Sequence, residues 1–461
     1  MNENPAYLLP ELCTLAGAVI GLLTGLFSPR ARQWRVAVIC AAGLLAGLVA
    51  AAVAAGRPDA VAFDTFMIDP VTHVTRVVVL AATLLVVALS AGSVRGHRRE
   101  SEFYVLLLFA AVGTMVLGAS ADLLVLLSAY LLASIPGYAL AGFGKDAAGT
   151  EAALKYYLMG ALLGIVMLAG ITVLYGVGRG TAYDTLREGL ASAPAGAAAV
   201  GVVALLAGLM FKTGAVPAHF WVPDVTEGAP PAVAAFVTTV PKIGAFAALY
   251  RIAVELLPRA PVDWRLLIAI LAVATMTLGN LAAFYQDNVR RLLAYSTISQ
   301  AGYLLVPVVV AGRSGLAEQA LLFYLAAYAV TNIGAFAVVV AVGEDRLAGY
   351  AGMVRRSPSL ALSLVVCLLG LVGTPPTGVF VGKLLMLGAA VDGRYAWLAA
   401  VAVLNTVASV FYYLRWIVPT FARPAPPSTG GINLEARVVA YTAAAVSLLL
   451  GIGSGIALTF S

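Results

Sequence analysis

Charge is what this sequence has least of. Of its 461 residues only 11% are Asp, Glu, Lys or Arg, less than half of the roughly 25% usual in a soluble domain. Hydrophobic residues supply 62%, and the mean hydropathy is +0.97. With about 20 apolar residues per bilayer crossing, about fourteen spans would use roughly 280 residues. No room is left for a sizeable soluble domain, which excludes a soluble enzyme with its own nucleotide-binding or metal-cluster domain. Cysteine is scarce as well. Cys13, Cys40 and Cys367 stand alone in apolar runs with no C-x-x-C spacing, so no iron–sulfur, zinc or disulfide framework is readable. The net charge of +6 and pI near 9.2 do not indicate nucleic acid, because membrane insertion itself requires basic cytoplasmic loops. No Lys or Arg precedes Arg30, so the start lacks the basic region of a cleaved signal peptide.

What is present is an all-α polytopic membrane protein, a single membrane domain over 1–461. Apolar stretches bounded by charge or by Pro and Gly lie near 7–27, 36–55, 72–92, 103–119, 123–142, 155–177, 196–216, 230–250, 266–285, 292–312, 318–342, 359–388, 395–417 and 438–458. With an outer N-terminus, the odd-numbered loops hold sixteen Lys and Arg, Arg423 among them, and the even-numbered loops eight. That asymmetry predicts both termini on the outer side of the cell membrane. Two spans read as discontinuous helices. The seventh carries Lys212 and runs into Pro217; the twelfth carries Thr374-Pro375-Pro376 ahead of Gly378, Gly382 and Lys383. Proline removes a backbone donor, and freed backbone groups are tolerated in a membrane only where protein or a wet cavity satisfies them. Interrupted spans five apart, each with a lysine, suggest a structural repeat, with approximate halves 103–250 and 266–417; simple packing kinks are the plainer alternative.

Lysine is rarer still, with five among 28 basic residues, yet Lys212, Lys242 and Lys383 fall inside apolar spans. Arginine fills the loops, with Arg76 inside a span. A desolvated lysine can release its proton near neutrality, whereas arginine stays charged. An ionisable side chain at mid-membrane costs about 2.5–3.5 kcal/mol on insertion scales and marks a polar pathway unless it snorkels to the interface. Lys242, following Pro241, is the strongest candidate for snorkelling.

His219 lies two turns beyond Lys212 and titrates near physiological pH when unperturbed. It can relay protons to the lysine or be tied to a backbone carbonyl. The stretch Trp221 to Pro231 reads as a short polar turn in which Asp224 and Glu227 cap helix ends or meet a partner. Carboxylates avoid the span centres: Glu11 and Asp122 stand near ends, and Glu151 pairs with Lys155 at i,i+4. In the second half Tyr295, Ser299 and Tyr303 share a helix face, and Asn280, Thr297, Gln300, Tyr324, Tyr328, Thr331 and Asn332 add polar groups. Such residues glue helices together or hold a file of water.

The ordered set Thr150-Glu151-Ala152-Ala153-Leu154-Lys155-Tyr156-Tyr157-Leu158, Phe211 to Pro231, Pro241-Lys242-Ile243-Gly244-Ala245-Phe246, Leu278-Gly279-Asn280, Arg290 to Ser296, and Gly373-Thr374-Pro375-Pro376-Thr377-Gly378 with Phe380, Gly382 and Lys383 resembles subunit N of the proton-translocating NADH–quinone oxidoreductase, respiratory complex I. The resemblance covers about 105 to 415. It implies fourteen transmembrane helices in two inverted repeats, a place in the membrane arm beside other membrane and peripheral subunits, and Lys212, Lys242 and Lys383 as proton carriers. NADH, FMN, iron–sulfur clusters and quinone would belong to the partners, with no cofactor or metal here. Two positions depart from the family pattern. Leu131 stands where a fifth-helix glutamate is usual, and Gln300 stands where histidine is usual. A multi-subunit cation/proton antiporter subunit and a non-pumping structural subunit are the rival readings.

Overall fold

The computed structural model describes residues 4–422 and 433–457; Arg423 and the last residue of the 438–458 span lie outside them. Helices dominate: α1 (Leu9–Phe27), α2 (Trp34–Ala54), α3 (Pro70–Val94), α4 (Glu100–Ala119), α5 (Leu123–Ala141), α6 (Ala147–Gly178), the short α7 (Tyr183–Leu190), α8 (Ala195–Thr213), α9 (Trp221–Gly228) and α10 (Pro231–Arg251). The second half continues with α11 (Trp264–Ala283), α12 (Val289–Val309), α13 (Ala317–Val342), the one-turn α14 (Met353–Arg356), α15 (Pro358–Val372), α16 (Gly378–Asp392), α17 (Ala396–Thr420) and α18 (Leu434–Ile452). A hairpin of β1 (Ala60–Ala62) and β2 (Phe66–Ile68) joins α2 to α3. Thirteen helical segments are long and apolar enough to cross a membrane. The fourteenth crossing is assembled from α15 and α16, because the expected span 359–388 is broken at 373–377.

Small residues set the helix packing, since between lipid-embedded helices close backbone approach replaces the hydrophobic drive. A Cβ on Gly17 would lie 2.9 Å from the Gly43 Cα, which puts α1 and α2 in backbone contact. Gly279 and Gly302 do the same between α11 and α12. Pro231 aside, every residue of α10 is buried, and α12 is nearly so. These two helices form the centre, and α1, α2 and α6 turn large apolar side chains outward.

Arginine also enters the interior more than expected. Arg76 of α3 bonds both oxygens of Glu11 at 2.7 and 2.9 Å, and both residues are buried. Arg251, expected in a loop, instead ends α10 buried, holding Asp69 at 2.7 Å and the Gly118 carbonyl at 3.1 Å. Its five donors match a carboxylate and a carbonyl together, which is what lets a permanent cation sit there.

Candidate functional site

Each interior lysine sits beside a disruption of regular helix. Lys212 occupies the last turn of α8, which ends where Gly214 adopts φ +70°, a left-handed conformation that glycine adopts at little cost. The amides of Gly214 and Ala215 bond back to Phe211 and Met210 and close the helix end. Residues 214–220 are not α-helical, and α9 then resumes. The expected polar turn at 221–231 is therefore mostly helix: Trp221 stacks on Tyr156 at 4.3 Å, donates to the Phe211 carbonyl at 3.2 Å and starts that helix against α6 and α8. Its far side is fastened by charge. Asp224 accepts from Lys155 at 2.7 Å and Arg291 at 3.0 Å, and Glu227 accepts from Arg291 at 2.7 Å. Partial burial opposes ionisation of Asp224, but hydrogen bonds and attraction from Lys155 and Arg291 hold its carboxyl below its ordinary 3.8. Lys155 also meets Glu151 as expected, at 2.7 Å in an exposed pair.

Lys212 is 1% exposed. Its ammonium donates to the Ser134 hydroxyl at 2.5 Å and lies 5.2 Å from the centre of the Tyr130 ring. Ser134 in turn donates to the Tyr130 carbonyl. Leu131, on the same helix α5, is 45% exposed and points away from this pocket, so the position usual for an acid lies on the outer surface of the isolated chain. His219 is not two helical turns from Lys212, because the helix stops between them. Its ring is buried and packs on Phe220 at 4.4 Å, with Nδ1 unpartnered. Among the described residues no hydrogen bond joins it to Lys212.

Lys242 does not snorkel: it is 1% exposed, and its ammonium has no hydrogen-bond partner among the described residues. A Cβ on Gly214 would sit 3.0 Å from its Nζ, so the left-handed glycine that ends α8 also makes the space the lysine head occupies. Pro241 cannot donate to the carbonyl one turn back. On that preceding turn Thr238 and Thr239 accept from Asn332 at 3.1 and 2.8 Å. Tyr328 donates to the Thr238 carbonyl at 2.9 Å and meets Thr297 at 3.0 Å. One turn further along α12, Gln300 donates to the Leu371 carbonyl at 2.8 Å and accepts from Tyr324 at 2.5 Å. Lys383 ends this series, 4% exposed, donating to Val372 at 2.9 Å and reaching the same Leu371 carbonyl at 3.5 Å. Those carbonyls are free because the break after Val372 ends α15. The Tyr303 ring lies 4.2 Å from the Lys383 ammonium.

The structure thus places Lys383 at one end of a polar seam between α10, α12, α13 and α15, whose other end at Thr238 lies one turn from Lys242, with Lys212 and Lys242 on either side of the α8 break. Of the face Tyr295, Ser299, Tyr303 that spacing singles out, Tyr295 and Ser299 turn their backbone onto Gly279 of α11 and Tyr303 reaches Lys383; the seam adds Thr297 and Gln300 from another face of the same helix. Thr238 and Thr239 carry no sequence signal beyond lying one turn from other polar residues. No ion pair among the described residues includes any of the three lysines.

A family profile described as NADH:quinone oxidoreductase/Mrp antiporter, TM, matches residues 120–409. The chain is 56% identical to NADH-quinone oxidoreductase subunit N 1 of Streptomyces griseus, over 99% of this chain and 98% of that one. It superposes with TM-score 0.85 and 34% identity on a chain of respiratory complex I from Thermus thermophilus with bound aureothin, covering 98% of each. A chain of the Mrp complex from Dietzia sp. DQ12-45-1b matches with TM-score 0.86 over 99% of this chain and 95% of that one, at 23% identity, a likeness of fold alone.

Proposed function

We propose, from the premise that this chain belongs to the family of NADH-quinone oxidoreductase subunit N, that it moves protons across the membrane in response to electron transfer from NADH to quinone in partner subunits. Lys212 is the central switch, Lys242 relays to the second half, and Lys383 faces the far exit; His219 serves as a relay on the Lys212 side. The chain acts as a subunit of a translocating oxidoreductase, and NADH, FMN, iron–sulfur clusters and quinone are handled by the neighbouring subunits of the same complex. Its place is the cell membrane with both termini outside, and 103–250 and 266–417 are the two inverted repeats.

The observation that carries this reading is the burial of three lysines with no carboxylate paired to any of them among the described residues. A buried cation without a counter-charge loses its hydration with little in return, so an inert scaffold would gain stability by replacing it with an apolar side chain. A side chain that hands a proton on gains from being free of a fixed counter-charge, and lysine, unlike arginine, can lose its proton. The polar seam from Thr238 to Leu371 supports transfer between Lys242 and Lys383.

One observation favours the non-pumping reading: Lys212 has a hydroxyl partner where a carboxylate would give a stronger switch. Lys212→Ala in the assembled complex separates the two. Pumping predicts lower proton translocation per electron in vesicles with assembly retained, whereas unchanged translocation and unchanged quinone reduction would leave this copy a structural subunit.

A further inference from the structure

Helices α1 and α2 touch backbone to backbone at Gly17 and Gly43. Nearer the α2 C-terminus a groove of about 480 Å³ opens between them on the outer face, lined by Leu9, Leu45, Ala46, Val49, Val53 and, at its mouth, Arg57. Leu45, Val49 and Val53 are 48%, 64% and 63% exposed, and the alanines on the groove wall leave its floor open. Within this otherwise apolar lining Arg57 is the single charge. No ion pair or side-chain hydrogen bond holds it among the described residues, and Asp59, two residues on, is exposed and does not pair with it.

We infer that this groove binds one acyl chain of an anionic phospholipid, with the lipid phosphate on Arg57. Two independent observations agree. The length fits: Leu45 to the α2 end at Ala54 is about nine helical rises, about 14 Å at 1.5 Å each, and one leaflet contributes about 15 Å of the roughly 30 Å hydrocarbon layer. The charge fits: an unpaired guanidinium at the end of an apolar slot presents a planar set of donors to phosphate oxygens at the depth where a leaflet's headgroups begin. A neighbouring transmembrane helix would cover the apolar walls equally well, but it would give Arg57 nothing unless it carried an acid there. The inference does not depend on whether this copy pumps.

The test uses the assembled complex in nanodiscs of phosphatidylglycerol bearing a photoactivatable diazirine on its acyl chain, with phosphatidylcholine of the same tail as comparison. Adducts are mapped by peptide mass spectrometry. Labelling of α2 between Leu45 and Val53 is expected to exceed that of the outward face of α6 at Leu158, Leu162 and Ile165. Phosphatidylglycerol should be favoured there by about fivefold, the factor one basic residue contributes near an anionic surface. Ala46→Phe, at an exposed wall position, should remove the groove adducts and leave those on α6, which also reports that the variant is folded. Arg57→Gln should abolish the headgroup preference. Equal labelling of α2 and α6 would show only annular lipid. Labelling of α6 without α2 would show that another subunit fills the groove. Either result overturns the inference.

Discussion

Replacing Lys242 with methionine should make the protein more stable and less able to move protons. The ammonium is 1% exposed and has no hydrogen-bond partner among the described residues. An unsatisfied buried polar group costs about 1–3 kcal/mol, more when charged. Methionine keeps an unbranched apolar chain of similar reach and fits irregular space, so the cavity term stays small. A net gain of about 1–3 kcal/mol is therefore expected. Lys212→Met provides the internal comparison, because Lys212 donates to Ser134 at 2.5 Å and a hydrogen bond to a charged donor contributes about 1.5–3 kcal/mol. That variant should gain less or nothing. The assay heats the purified complex, follows release of this subunit, and measures proton translocation per electron in vesicles. A raised midpoint with reduced translocation for Lys242→Met supports the reasoning. A lowered midpoint would refute it, since it would mean that the ammonium is held by a partner whose loss outweighs the desolvation.

Three further outcomes follow from other contacts. Gln300→Leu removes the bonds to Leu371 and Tyr324 and leaves a fully buried phenol unpaired, a loss of about 1–3 kcal/mol; thermal release should come earlier and translocation should fall. Arg76→Met strands the buried Glu11 carboxylate and should cost about 3–5 kcal/mol, most of it recovered in the Arg76→Met, Glu11→Leu double variant, read by the yield of assembled complex. The carboxyl of Asp224 ionises more readily folded than unfolded, so its contribution is present above the ordinary value of 3.8 and lost as the pH falls through the lower folded value. Hydrogen exchange should show α9 loosening only in that acid window, whereas Asp224→Asn should loosen it already at neutral pH.

Particular residues show how far the sequence carried. Proline and glycine placed both helix breaks, because their backbone limits act locally and need no partner. The run from Trp221 reads as a turn by local preference alone. It becomes helix because Tyr156 and Phe211 receive the indole and Lys155 and Arg291 fasten Asp224, and tertiary contacts routinely override weak local preference. Arg251 reads as a loop residue for a similar reason: only the fold brings Asp69 to it.

Composition by itself determined that the chain lives in a membrane, and the contrast of interior lysine with peripheral arginine singled out Lys212, Lys242 and Lys383 as candidates, because intrinsic basicity belongs to residue types. Which lysine faces a hydroxyl, which faces carbonyls freed by a helix break and which faces nothing was decided by packing alone. Those partners are 78 residues away for Lys212 and 11 or 12 for Lys383. Only the packing of α5 and α8 against the shared neighbours α6 and α10, and the unwinding between α15 and α16, bring the atoms within reach.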